Sequence, residues 1–334
     1  MVTMHDSSGR HIHYLRISVT DRCNLRCRYC MPETGVSFIP HEDVLSYEEI
    51  VRLAGIAASL GVDRIRLTGG EPLVRKGLPS LVSALKSVKG IRFVGLTTNG
   101  ILLGEQAHAL KDAGLDAVNI SIDTLDADRY TAITRRPELA RALAGLDAAL
   151  AAGIGSVKVN CVLSPDSLPD DWLAVAGLAK RYPADVRFIE WMPLAGEQRP
   201  EGRADEARAM IQDTYGQLEP AASESDGGPA RLSSLPGFLG KIGFIEAMSR
   251  AFCDRCNRLR LTAAGDLKLC LFYDVGVALK PLLRSGADDA IIRAAIEQAI
   301  AVKPRAHQGV QLRREAAASE PVIASVRGMY QTGG

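Results

Sequence analysis

An excess of charge of either sign is missing from this chain of 334 residues, in which forty Lys and Arg face thirty-nine Asp and Glu for a formal net charge of +1. A global pull toward nucleic acid or an anionic membrane is therefore excluded, and any anion site has to be local. Aromatic residues are scarce at 5%, and no basic stripe interleaved with aromatics is present to read nucleic acid. Apolar runs of membrane-span length are absent, and Met1 to Arg10 is polar with no apolar signal core, which predicts a cytoplasmic chain without membrane contact. In a reducing compartment the seven cysteines read as metal ligands or reactive thiols rather than disulfides. What remains, 47% apolar and 24% charged residues, is ordinary for a globular protein of one large or two medium domains.

Six of the cysteines fall into two clusters. Cys23, Cys27 and Cys30 stand with three and then two residues between them, and no fourth Cys or His follows within ten residues. Iron–sulfur cubes normally take four thiolates. A set of three leaves one position open, where an exogenous molecule can bind, as at a catalytic zinc. Cys253 and Cys256 form the second cluster with Cys270, which follows after thirteen intervening residues. It is again one ligand short, and structural zinc closed by His307 is the competing reading there. Arg258 and Arg260 follow directly, two apart, so an extended backbone points both guanidinium groups the same way, toward a phosphate or toward solvent.

Apolar alternation over Ile12 to Thr20 predicts a strand with Leu15, Ile17 and Val19 on one face and Arg16, Ser18 and Thr20 on the other. The capping box Ser46 to Glu49 opens a helix that stops at Gly61. Further strands are predicted near 62–68, 91–98, 117–122, 155–162 and 185–191, with helices between them, one carrying Leu139, Leu143, Leu146 and Leu150. Six such units predict a parallel sheet with right-handed crossovers, an incomplete (β/α)6 barrel of the TIM type. Function then belongs at the C-terminal strand ends, where Thr68 to Pro72, Thr97 to Gly100, Asn119 to Asp123 and Trp191 to Pro193 fall. Residues 195–237 read as irregular loop, and a last helix is expected around Ala287 to Ala301. Period 2 sets Lys158 and Asn160 on the polar face of their strand, and turns Cys161 toward the helices as a buried structural thiol.

The stretch RISVTDRCNLRCRYCMP from Arg16 to Pro32, with Tyr29 before its last cysteine, resembles the cluster motif of the radical S-adenosylmethionine (SAM) enzymes. Together with Arg66 to Pro72, Ile242 to Leu271 and the terminal Gly333-Gly334, it is similar to the branch of that superfamily that acts on GTP at the start of molybdenum cofactor biosynthesis. The resemblance implies two [4Fe–4S] clusters, one on Cys23, Cys27 and Cys30 that binds SAM, the other on Cys253, Cys256 and Cys270 that binds the guanine of GTP. It implies SAM contacts at Tyr29, Gly70, Ser121 and Met192, and GTP contacts at Arg16, Arg66, Thr97, Lys158, Arg258 and Arg260. Gly70 is expected to let backbone approach the ligand. The tail residues Gly333 and Gly334 would enter the active site. The implied reaction is hydrogen abstraction from the ribose C3′ by a 5′-deoxyadenosyl radical, followed by attack of that carbon on C8 of the guanine.

The same resemblance implies an external electron donor, a separate cyclic pyranopterin monophosphate synthase downstream, and room for a homodimer. It divides the chain into a partial barrel over 1–195 and, over 196–334, a C-terminal region that carries the second cluster and covers the open side. Arg64 stands where the family often has Lys, and Arg187 matches a functional position yet falls by period 2 on the face opposite Glu190 and Met192. Two other readings compete: a peptide-modifying radical SAM enzyme with an auxiliary cluster, and a non-catalytic metal-binding module.

Overall fold

The computed structural model describes residues 4–192, 201–222 and 228–307. Its first part runs β1 (Tyr14–Ser18), α1 (Tyr47–Ser59), β2 (Arg64–Thr68), α2 (Leu78–Lys86), β3 (Phe93–Thr98), α3 (Leu103–Asp112) and β4 (Ala117–Ser121). There follow α4 (Ala127–Thr134), α5 (Leu139–Ala151), β5 (Ser156–Leu163), α6 (Pro169–Arg181) and β6 (Asp185–Glu190). The rest is α7 (Arg203–Tyr215), β7 (Glu219–Pro220), β8 (Arg231–Ser234), β9 (Ile242–Ile245), β10 (Arg258–Leu261), β11 (Asp266–Lys268), β12 (Gly276–Ala278), α8 (Lys280–Arg284) and α9 (Asp289–Ala301).

The six expected units are present, with β1 to β6 side by side in chain order, each parallel to the next. Local chemistry sets their ends. At α1, Ser46 Oγ accepts from Glu49 N–H (3.1 Å) while Glu49 Oε2 accepts from Ser46 N–H (2.7 Å), and the helix gives way at Gly61, whose φ of 106° suits glycine. Alternation then assigns the faces. Leu15, Ile17, Ile65 and Leu67 are buried in the core, whereas Arg16, Arg66 and Asn160 line the lumen. Cys161 takes the helix side as expected, fully buried, its Sγ donating to Asp123 O at 3.6 Å.

The sheet stays open, because the C-terminal half adds strands to both of its edges. β9 pairs parallel to β6 and β10 parallel to β1, and the hairpins β8–β7 and β11–β12 finish the two sides. Residues 246–257, which join β9 to β10, therefore cross from one edge of the barrel to the other over its open side. Glu190, at the end of β6, anchors this crossing by accepting from the N–H groups of Met248 (2.8 Å) and Ser249 (2.9 Å).

The expectation of loop throughout 195–237 is overturned where the chain is described, since 203–215 form α7 and β7 pairs with β8. Only Ala204, Ala207 and Ile211 are buried along α7, an apolar stripe too narrow to register as periodicity in a charged sequence. No helix among the described residues is long and apolar enough to cross a membrane.

Candidate active site

The lumen holds two adjoining cavities with one thiol set in each. Cys23, Cys27 and Cys30 line the first together with Gly70, Glu71 and Ser121. Cys253, Cys256 and Cys270 line the second together with Arg16, Arg258 and Arg260. Thr97, Asn160, Ile189 and Met192 line both, so molecules held in the two cavities would meet across that shared wall.

Backbone contacts fix the loop of the first set. Cys30 and Met31 donate to Cys27 O (2.9 and 3.0 Å), closing a turn, and Arg26 and Arg28 donate to Thr134 O and Ile133 O at the end of α4 (3.0 Å each). Arg135, whose φ of 59° is in the left-handed region, donates through Nη1 to Arg26 O (2.7 Å) and Met31 O (3.0 Å). The Tyr29 hydroxyl donates to Asp123 Oδ2 at 2.7 Å, which stops the ring from swinging. Across from the loop, Gly70 and Glu71 donate to Thr20 O (2.7 Å) and Arg22 O (2.8 Å). A Cβ on Gly70 would lie 2.4 Å from Arg22 O and 2.6 Å from Asp21 O. The glycine is thus required by backbone packed on backbone, a different reason from the ligand approach expected of it.

Electrostatics separates the two sets. Burial, then the Glu71 carboxylate, pushes Cys23 up to about 11, and burial with Cys23 and Asp123 pushes Cys30 up to about 12. Those thiols keep their protons until a metal displaces them, so loading this site releases protons. At Cys256 burial is outweighed by Lys303, by the backbone N–H and charge of Arg258, and by Arg10, and the thiol is held below its ordinary range. Among the described residues no three His, Cys, Asp or Glu groups close on a single metal ion, and His307 gives its Nε2 to Ala247 O at 2.8 Å. Sulfurs spread around a cavity fit a multi-iron cube, whose irons sit apart, better than one zinc closed by His307.

The second cavity is also lined by a row of cations. Strand register places Arg260, Arg16 and Arg66 next to one another on β10, β1 and β2, followed by Gly95 on β3. A Cβ at Gly95 would sit 3.0 Å from Arg66 Cζ, so the missing side chain makes room for the guanidinium. Burial, with neighbouring guanidinium groups next, pushes Arg16 well below its ordinary value and Arg260 down to about 10. A polyanion in the cavity would relieve both the desolvation and the repulsion.

Glu71 gives a pH prediction for the cluster-free protein. Burial lifts its carboxyl from 4.5 to about 7, against hydrogen bonds from Thr98 Oγ1 (2.6 Å) and the N–H groups of Asn99 (2.7 Å) and Leu73 (3.0 Å). Between those two values the unfolded chain has released a proton that the folded chain still holds. Stability is therefore complete below pH 4.5, falls on the order of 3 kcal/mol as the pH rises to about 7, and then levels. Denaturant unfolding at stepped pH should show this fall in the wild type and lose it in Glu71→Gln.

Two family profiles match the chain in succession. The profile of the Radical SAM superfamily matches residues 17–179, and that of Molybdenum Cofactor Synthesis C matches residues 184–309. The GTP 3′,8-cyclase of Moorella thermoacetica is 49% identical over 308 residues, which is 91% of this chain and 95% of that protein. The chain belongs to the GTP 3′,8-cyclase family. Molybdenum cofactor biosynthesis protein 1 of Bos taurus is 44% identical over 91% of this chain but only 48% of its own length. The solved structure of Streptococcus suis SuiB bound to S-adenosylmethionine aligns with 92% of this chain and 74% of that one, at a TM-score of 0.61 and 14% identity. At that identity it shows a shared fold.

The residues picked out by resemblance to this family are mostly brought together. Tyr29, Gly70, Ser121 and Met192 line the first cavity, and Arg16, Arg66, Thr97, Arg258 and Arg260 the second. Lys158 is buried on the same strand face as Asn160, in register with Asn119 and Asp185, and is not in the wall of either cavity. Gly333 and Gly334 lie outside the described residues. Arg64 packs over Phe93, 5.2 Å from the ring centroid, near Asp63.

Arg187, whose face was in conflict with that of Met192, resolves simply. β6 ends at Glu190, so alternation no longer governs Met192, and both residues line the second cavity. Sequence reasoning passed over Arg10 and Lys303. Arg10 Nη1 donates to Cys253 O (2.9 Å), and Lys303 Nζ donates to Arg258 O (2.9 Å) and to Leu269 O. Arg10 thus holds the crossing segment that carries Cys253 and Cys256, and Lys303 ties the start of β10 to the residue before Cys270.

Proposed function

We propose that this chain converts GTP to (8S)-3′,8-cyclo-7,8-dihydroguanosine 5′-triphosphate, the opening step of molybdenum cofactor biosynthesis, with two [4Fe–4S] clusters and SAM. The observation that carries the reading is the shared wall of Thr97, Asn160, Ile189 and Met192 between two cavities with three thiols each. The chemistry supplied on Cys23, Cys27 and Cys30 is one-electron reductive cleavage of bound SAM. Everything else in the proposal is positioning by the polypeptide.

Tyr29, held by Asp123, and Gly70, Ser121 and Met192 surround SAM in the first cavity. Arg16, Arg66 and Arg260 grip the triphosphate with Arg258 beside them, and Lys158 adds charge from the neighbouring layer. Cys253, Cys256 and Cys270 fix the end of the cavity that takes the base. Holding a nucleotide at both ends leaves its ribose at the shared wall, where proximity to SAM substitutes for acid–base assistance. Buried walls keep water from the reacting carbon. We assign the partial barrel with the SAM cluster to residues 1–195 and the second cluster to 196–334, with GTP gripped by side chains from both parts of one sheet. The electron comes from an external donor, and the product passes to a separate cyclic pyranopterin monophosphate synthase.

Anaerobic incubation of reconstituted protein with GTP, SAM and dithionite, followed by mass analysis, tests the reading. 5′-Deoxyadenosine and a cyclised nucleotide are expected together, and 5′-deoxyadenosine without a cyclised nucleotide would sink it. Arg187 gives a finer check. Its Nε and Nη2 donate to Asn160 Oδ1 (3.0 and 2.7 Å), which turns the guanidinium along the second cavity. Arg187→Ala should weaken GTP binding by roughly tenfold to a hundredfold, the range for a charge-assisted contact. SAM cleavage without GTP should be unchanged.

A further inference from the structure

The second cavity contains a hydrogen-bond acceptor that has no partner among the described residues. His307 lies in its wall, is 5% exposed, and stacks on Phe272 with ring centroids 4.3 Å apart. Its Nε2 is 2.8 Å from Ala247 O. A carbonyl only accepts, so Nε2 carries the ring proton. Nδ1 is buried and makes no hydrogen bond among the described residues. A second proton on Nδ1 would bury a cation without an acceptor in a cavity already lined by Arg16, Arg258 and Arg260. Nδ1 therefore offers a lone pair, and a buried lone pair left unmet is costly. The ring cannot turn to give it away without breaking the bond to Ala247 and the stack on Phe272.

A neutral acceptor of this kind, placed beside a thiol set, selects a ligand with an N–H on its edge. Guanine presents a ring N–H and an exocyclic 2-amino group on one edge, whereas adenine presents a bare ring nitrogen and a C–H there. Resting on the reading that this cavity takes the base of GTP, we propose that His307 Nδ1 accepts a hydrogen bond from the 2-amino group and is the residue that specifies guanine. The alternative use of the lone pair, as a fourth iron ligand, makes a different prediction before any nucleotide is added.

The test uses the full chain with both clusters reconstituted and measures anaerobic equilibrium binding of GTP and of inosine triphosphate, which lacks only the 2-amino group. The wild type should favour GTP by about tenfold or more, the usual consequence of leaving a buried acceptor unmet. His307→Phe, which keeps a ring to stack on Phe272, should bring the ratio near one. His307→Asn, whose Oδ1 can stand in for Nδ1, should restore part of it. Iron content and the electron paramagnetic resonance of the second cluster should be the same in all three before nucleotide is added. Equal wild-type affinity for the two triphosphates, an unchanged ratio in His307→Phe, or a cluster signal altered in that variant without nucleotide would each overturn the assignment. Failure of the wild type to bind either triphosphate would instead remove the parent reading of the cavity, and the assignment with it.

Discussion

Replacing Cys253 by serine should abolish the cyclised nucleotide, by at least about a hundredfold, while leaving cleavage of SAM largely intact. Cys253 opens the short turn 253–255 on the segment that crosses the open side of the barrel, with its carbonyl held by Arg10 and its sulfur facing the second cavity. Serine preserves that backbone geometry but exchanges a soft thiolate for a hydroxyl, which is a poor iron ligand. The iron bound per chain should fall by about half, since the first thiol set lies in another cavity on another loop. Iron analysis, 5′-deoxyadenosine release and product mass together check the prediction. Cyclisation at wild-type rate would remove Cys253 from the site.

Gly70→Ala should strike the other half. The added methyl would meet Arg22 O and Asp21 O at 2.4 and 2.6 Å, and both are backbone atoms with no rotamer to escape into. Something must move, and the piece free to do so is the Asp21–Arg22 turn that leads directly into Cys23. The expected cost is about 1–3 kcal/mol of stability from overpacking, with first-site iron lost and SAM cleavage down at least about a hundredfold from the displaced ligands. Thermal unfolding and 5′-deoxyadenosine release without GTP read the two effects separately. Gly104→Ala is the control, because no atom lies within 4 Å of a Cβ there and the residue is inside α3. That change should stabilise by about 0.5–1 kcal/mol. Unimpaired SAM cleavage by Gly70→Ala would show that the turn tolerates displacement.

Much of the architecture was legible in the sequence because the signals were short-range. The alternation in β1 and β5, the capping box at Ser46 and the spacing of Cys23, Cys27 and Cys30 are each decided within about ten residues. The stripe on α5 was only partly right. Leu139 and Leu146 are buried with Ala142 and Ala149, while Leu143 and Leu150 flank that face, since small residues carry packing that a count of leucines overlooks. What stayed hidden was of longer range. No local pattern announces that Arg260 lies beside Arg16, as that pairing joins distant parts of the chain. Arg10 and Lys303 bind carbonyl oxygens, which every residue possesses, so their partners leave no imprint on side-chain identity. His307 was visible only as a rival zinc ligand, because the bond that occupies its Nε2 goes to backbone as well.

The parallel pairing of β10 with β1 also sets an order of events at the ribosome. His13, just before β1, and Asn257, just before β10, are hydrogen-bonded partners 244 residues apart in sequence. At ordinary rates of synthesis the edge of β1 waits roughly ten to fifty seconds for the strand that covers it. For most of that interval the growing chain already carries Cys23, Cys27 and Cys30 but not Cys253, Cys256 and Cys270, so the two thiol sets are completed one after the other. An unprotected strand edge of that duration is also an invitation to pair with a neighbouring nascent chain, and slowing translation between α7 and β10 should lower the yield of folded protein more than slowing it after β12.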